Sequence, residues 1–161
     1  MPARQKILIV DDSVANLQLL GETLEADYDV QFASSGAEAL RLLESSLPDL
    51  FILDVMMDGM DGFELCERIQ AMEQCRDIPV VFLTALDDEA SESRGLALGA
   101  ADFIHKPFNV RLMRLRVGNL LRRVSISQQL EEEHELLRIT LYSIGDGVIT
   151  TDALGNVTMM N

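Results

Sequence analysis

Aromatic residues make up only 5% of this 161-residue chain, and tryptophan is absent. That scarcity favours a core of Leu, Ile, Val, Ala and Met over an aromatic binding surface. Basic side chains are scarce too: 13 Lys and Arg stand against 27 Asp and Glu, a net charge of -14. This balance argues against a grip on the phosphate backbone of nucleic acid, which needs a concentrated basic face. The imbalance is local, since positions 1–110 hold 7 basic and 21 acidic residues and positions 111–161 hold 6 of each. Cys66 and Cys75 are the only two cysteines. With no histidine near them they make no zinc pattern, and reduced thiols in a cytoplasmic protein are expected. No apolar run approaches the roughly 20 residues that span a bilayer, and MPARQK leads directly into a strand pattern rather than a signal-peptide core. A glycine-rich phosphate loop is missing after that strand, with neither GxGxxG nor GKS/T present.

Hydrophobic residues nevertheless reach 48%, so the chain is globular rather than disordered. Its length suits one domain of about 100 to 150 residues with something short beside it. Apolar bursts alternate with amphipathic stretches. KILIV at 6–10, DVQFA at 29–33, LFILD at 50–54, VVFLT at 80–84 and ADFIHK at 101–106 read as five strands. Between them, helical patterns cover 16–26, a stretch capped by Ser34 or Ser35, 64–74 and 89–98, the last ending at Gly99. Five strand-helix units predict an α/β fold with a five-stranded parallel sheet, helices on both faces and right-handed crossovers.

From Asn109 the pattern turns helical and meets no obvious stop before Gly145. Val117, Leu120 and Val124 share one phase; Leu130, His134, Leu137, Leu141 and Ile144 share another, with a slip near Ser127. A narrow seam of this kind predicts a helical, coiled-coil-type linker and a parallel homodimer through it. VITTD and NVTMM, joined by ALGN, then predict a β-hairpin. Three segments follow: 1–122 as the main domain, 123–141 as linker and 142–161 as the start of something further.

Ligands of an open parallel sheet sit beyond the carboxyl ends of its strands. Asp11 and Asp12 follow the first strand, Asp54 closes the third, Thr84 the fourth and Lys106 the fifth. Any one of these has an ordinary reading as a cap, a turn or a surface residue. Together they converge on one rim, where three carboxylates repel unless a positive charge lies among them. A hard divalent cation with oxygen ligands answers that need, and Mg2+ suits a small carboxylate site that keeps waters and takes phosphate oxygens; Mn2+ is a possible substitute. Asp54, flanked from both sides, is the expected nucleophile toward phosphorus, with Lys106 and the Thr84 hydroxyl holding phosphoryl oxygens.

These residues closely resemble the response-regulator receiver family of two-component signalling. The resemblance spans Lys6 to about Arg122 through ILIVDDS, FILDVMMDGMDGFELC, PVVFLTA and ADFIHKPF. It implies the flavodoxin-like strand order 2-1-3-4-5, metal binding by Asp12 directly and by Asp11 largely through water, and phosphorylation of Asp54. The backbone carbonyl of Met56 completes the implied ligands. The implied donor is a histidine kinase or phosphotransfer protein. Thr84 and Phe103 are the implied switch pair, and Lys106-Pro107 the implied cis peptide. The chain departs from the family at Asp58, where proline is usual. Met56 and Leu86, which by resemblance flank the hydrolytic water, are both apolar and imply slow loss of the phosphoryl group. LYSIGDGVITTDALGNVTMMN resembles the beginning of a PAS domain, and this order of parts resembles bacterial proteins ending in cyclic-di-GMP turnover or histidine kinase domains. The resemblance allows the receiver to catalyse its own phosphorylation and dephosphorylation; no separate catalytic output is expected within the 161 residues, and no membrane or nucleic-acid contact through them. The rival readings are a flavodoxin-like cofactor module, an aspartyl phosphohydrolase, whose nucleophile would more naturally end the first strand, and a pseudo-receiver scaffold, which would lack rim acids.

Overall fold

A computed structural model describes residues 3–85, 89–143 and 149–160. It divides into two compact units, Met1–Leu121 and Arg122–Asn161. The first carries β1 (Lys6–Val10), α1 (Val14–Leu24), β2 (Asp29–Ala33), α2 (Gly36–Leu43), β3 (Leu50–Asp54), α3 (Gly62–Ala71), β4 (Val80–Thr84), α4 (Glu89–Ala97), β5 (Asp102–His105) and the first turns of α5 (Val110–Ser143). All five strands pair in parallel, as the sequence pattern predicts, in the order β2-β1-β3-β4-β5 that the family resemblance implies.

The continuous apolar runs have a direct cause. β3 and β4 are buried at every position because helices cover both faces of the sheet, so no strand residue can remain polar without a partner. Side-chain alternation then sorts each strand between two cores. Ile7, Ile9, Leu50, Ile52, Val81 and Leu83 pack with Leu20 and Leu24 of α1 and with Met113, Val117 and Leu121 of α5. Leu8, Val10, Phe51, Leu53 and Phe82 pack with Ala39 and Leu43 of α2 and with Leu65 and Ile69 of α3. Each large aliphatic or aromatic side chain buried this way stabilises the unit by about 1.5–3 kcal/mol. Cys66 and Cys75 are free thiols in this interior, and burial pushes Cys66 up to about 11.

Local chemistry sets the helix boundaries and explains where they depart from the periodicity. α1 begins at Val14 because the Ser13 hydroxyl accepts the Asn16 N–H at 3.4 Å. The Asp61 carboxylate accepts the Glu64 N–H at 2.7 Å, which starts α3 at Gly62 rather than at 64. Beyond Ala71 the chain tightens into a 3-10 turn at Glu73–Cys75, so α3 does not reach 74. Ser35 caps α2, and Glu38 accepts the Ser34 N–H at 2.7 Å, an interaction that holds its carboxyl below the usual range. At Gly99 the chain takes φ 77°, the left-handed conformation that ends α4. β5 closes at His105, one residue short of the predicted strand, and leaves Lys106 just past its end.

In the second unit, α5 is helical through Ser143 and almost wholly exposed from Arg122 onward. Leu130 and Leu137 are each 58% exposed. β6 (Ile149–Thr151) and β7 (Val157–Met160) then pair antiparallel with a register shift at Thr150/Thr151. The turn is held by Asp152, whose carboxylate accepts the N–H groups of Leu154 and Asn156 at 2.8 and 2.9 Å. Ile144 and the stretch leading into the hairpin lie outside the described residues. Among the described residues, no helix is long and apolar enough to cross a membrane.

Two substitutions separate capping from packing: Ser35→Ala should cost about 1 kcal/mol, and Phe51→Ala about 3–5 kcal/mol, both read from urea denaturation midpoints.

Candidate functional site

The strand register builds the site. Val10 lies beside Leu53, so the next residue of each strand, Asp11 and Asp54, emerges abreast at the carboxyl rim. Asp54 lies beside Leu83 and Thr84 beside His105, which brings Thr84 and Lys106 to the same rim from the next two strands.

Asp11 is fully buried, and both of its oxygens are committed. Oδ1 accepts the Ser13 N–H at 2.8 Å; Oδ2 accepts the Asn16 side-chain amide at 2.9 Å and the Lys106 ammonium at 3.2 Å. Asp54 is 2% exposed. Its Oδ1 stands 2.9 Å from Lys106 Nζ and accepts the Met56 N–H at 3.3 Å. Asp12 faces solvent, with Oδ2 accepting the Asp58 N–H at 3.2 Å. One carboxylate oxygen from each of Asp11, Asp12 and Asp54 lies within 4.8 Å of the others. Thr84 is buried at the rim, Phe103 is half-buried, Met56 is exposed, and the Lys106-Pro107 peptide is cis. Leu86 lies outside the described residues.

The electrostatics are out of balance. Burial pushes Asp54 above the ordinary carboxylate range; the Lys106 contact opposes this and the Asp11 charge adds to it. For Lys106, burial favours the neutral amine, but the hydrogen bond and charge of Asp54, with Asp11 beside it, outweigh burial and hold the ammonium above its usual value. The two shifts express one fact: a single lysine serves more negative charge than it can neutralise. Three converging carboxylates and one open, solvent-facing side form an all-oxygen donor set that fits a small hard dication.

Two residues that the sequence pattern did not single out support this geometry. Asn16 holds Asp11 in place, and its only sequence signal is a polar side chain early in α1, five positions after Asp11. Gly62 matters through what it lacks. A Cβ there would overlap the Asp54 carbonyl oxygen and lie 2.9 Å from the Asp54 carbonyl carbon and 3.0 Å from Val55 Cα. Only a bare α-carbon lets α3 begin directly against the end of β3, where the Gly62 N–H reaches the Val55 carbonyl at 3.1 Å.

The family model for the response regulator receiver domain matches residues 7–118. The chain belongs to that family. This receiver is 44% identical over 118 residues to response regulator PleD of Caulobacter vibrioides, covering 73% of this chain and 26% of PleD. It is 44% identical over 124 residues to the alkaline phosphatase synthesis transcriptional regulatory protein PhoP of Bacillus subtilis, covering 76% of this chain and 51% of that protein. The chain therefore spans about a quarter to a half of these curated relatives. Among solved structures, the receiver domain of a signal transduction histidine kinase from Syntrophus aciditrophicus superposes with a TM-score of 0.69 at 40% identity, over 74% of this chain and 92% of that one. A beryllofluoride-activated DrrB receiver domain superposes with a TM-score of 0.68 at 31% identity, over 74% of this chain and 98% of that one. Family and carboxylate cluster together assign the chain to receiver-type signalling through aspartyl phosphorylation.

Because Lys106 is 21% exposed and bridges two buried carboxylates, Lys106→Met should destabilise the unit in chelator by about 3 kcal/mol, measured by urea unfolding. Gly62→Ala should cost about 1–3 kcal/mol in the same assay, since backbone rather than a movable side chain opposes the added methyl.

Proposed function

We propose that Asp54 is the phosphoacceptor, taking a phosphoryl group from a phosphohistidine of a histidine kinase or phosphotransfer protein. The observation that carries this reading is its position: it closes the central strand, nearly buried, 2.9 Å from Lys106 and within the acid cluster. Asp11, Asp12, Asp54 and the Met56 carbonyl would hold Mg2+, with Mn2+ as a substitute. The ion when bound supplies the positive charge that three carboxylates and an incoming phosphoryl group require. The chain's own residues do the rest. Lys106 pairs with a phosphoryl oxygen, the Thr84 hydroxyl donates to another, and the Asp54 carboxylate attacks phosphorus in line. Thr84 and Phe103 then form the switch. Asp58, whose N–H contacts Asp12, adds a further negative charge to this loop and raises the repulsion that a cation relieves. By the family resemblance Met56 and Leu86 flank the hydrolytic water, and their apolar character favours a long-lived acyl phosphate.

Residues 1–122 act here as the receiver, 123–141 as linker and 142–161 as the start of a PAS module, in a cytoplasmic signalling protein with a further output such as cyclic-di-GMP turnover. The β6–β7 hairpin after an unbroken helix supports that order. The exposed Leu130 and Leu137, with His134 and Leu141 between and after them, support a parallel homodimer. Glu133 and Arg138 border this seam five positions apart with opposite charge, the spacing at which side chains of two parallel helices pair across a seam.

Acetyl phosphate with Mg2+ should add one phosphoryl group by intact mass, and Asp54→Asn should abolish it; unchanged labelling of Asp54→Asn refutes the assignment. After donor removal, Met56→Asn or Leu86→Glu should shorten the phosphoryl lifetime, whereas a wild-type half-life of seconds unchanged by either would reject slow hydrolysis. Sedimentation should show a dimer that Leu137→Glu weakens; a strict monomer at high micromolar concentration overturns the dimer.

A further inference from the structure

α4 is an unusual helix for its place in the fold. Among its described residues Gly95 alone is buried, so the helix has no large side chain of its own driven into the core. What lies beneath it is aromatic. Phe63, Phe82 and Phe103 form an arc across the sheet face, with ring centroids 5.0 Å apart for Phe63 and Phe82 at an interplanar angle of 58°, and 5.7 Å apart for Phe82 and Phe103 at 29°. Gly95 sits against both ends of this arc. A Cβ at position 95 would overlap Cζ of Phe103, lie 2.8 Å from its Cε1 and approach Cε1 of Phe63 to 3.3 Å. The missing side chain of α4 is thus the notch that the Phe103 ring fills. The Phe103 ring is half-buried on β5, and its tip is the free end of a rotatable side chain, so an added methyl displaces the ring rather than the backbone.

We propose that Gly95 is the positioning residue of the Phe103 ring: the notch it leaves holds the ring inward, and through that contact the phosphoryl site and the seat of α4 are coupled. The proposal rests on the switch reading of Thr84 and Phe103. Phe82 and Thr84 lie two residues apart on β4 and project to one face of the sheet, and Phe103 is paired with Phe82 on the neighbouring strand. The inward ring therefore stands on the same face as the Thr84 hydroxyl, one side-chain rank below it. A ligand that draws Thr84 toward Asp54 favours the inward ring, and a methyl at 95 opposes it.

The test combines Gly95→Ala with Phe103→Ala and uses beryllofluoride with Mg2+ as the phosphoryl probe. With 4-fluorophenylalanine incorporated and the Phe103 resonance assigned by Phe103→Leu, a soluble paramagnetic agent should broaden that resonance in Gly95→Ala and spare it in the wild type. Beryllofluoride affinity should fall at least about fivefold in Gly95→Ala, while Mg2+ affinity stays unchanged. In the Phe103→Ala background, adding Gly95→Ala should have no effect, because no ring remains to be displaced. An effect of equal size in both backgrounds, or no effect in a folded Gly95→Ala protein, overturns the proposal. If Gly95→Ala does not fold, the double variant must recover the fold, and failure to recover overturns it as well. Absence of beryllofluoride binding in the wild type sinks the phosphoacceptor reading instead, while the fluorine measurement still decides whether position 95 seats the ring.

Discussion

The first unit is organised around a charge imbalance that its fold creates and only partly relieves. Bringing Asp11 and Asp54 abreast at the end of β1 and β3 forces two nearly dry carboxylates together, and Lys106 is the cation that lies between them. Burial raises the cost of every uncompensated charge there, and Asp12 stands at the mouth with its own negative charge exposed. The remaining polar contacts serve this arrangement: Ser13 and Asn16 orient Asp11, and the Met56 amide orients Asp54. A site tuned to be short of positive charge is a site that discriminates in favour of ligands bringing it. Stability and reactivity are here opposite readings of one electrostatic deficit.

Much of this arrangement is legible in the sequence. Strands buried on both faces must be continuously apolar, so β3 and β4 stand out residue for residue, and the polar residues Asp54 and Thr84 that end them mark the rim. Caps were less legible. Ser13 and Asp61 each override the hydrophobic periodicity by two residues, because a hydrogen bond to a free N–H fixes a helix start more sharply than packing does. Least legible were contacts that depend on absent atoms. Gly62 and Gly95 carry no periodic or charge signal, and their roles appear only when the backbone of one element and the ring of another are seen to occupy the space a side chain would need.

The aromatic economy of the chain fits the same picture. Three of the six phenylalanines contact one another on one sheet face, while Phe32 and Phe108 pack on the other and aliphatic side chains fill most of the remainder. Phe63 comes from the first turn of α3, Phe82 from β4 and Phe103 from β5, so the arc crosses the side of the unit where the site's hydroxyl and lysine arise. Arg94 of α4 lies over the Phe63 ring, 4.8 Å from its centroid, and also pairs with Asp61 and Glu67, which ties the outer surface of α4 to α3.

The close approach of Gly62 to the end of β3 gives the rim a stiff side and a compliant one. Because backbone meets backbone there, with a hydrogen bond to Val55 closing the contact, α3 has no room to slide or tilt without dragging the strand that carries Asp54. Its neighbour across the loop rests on ring edges and surface ion pairs, which yield at far lower cost. The third helix is consequently seated by backbone and the fourth by side chains, much as a post set in mortar differs from one held by wedges.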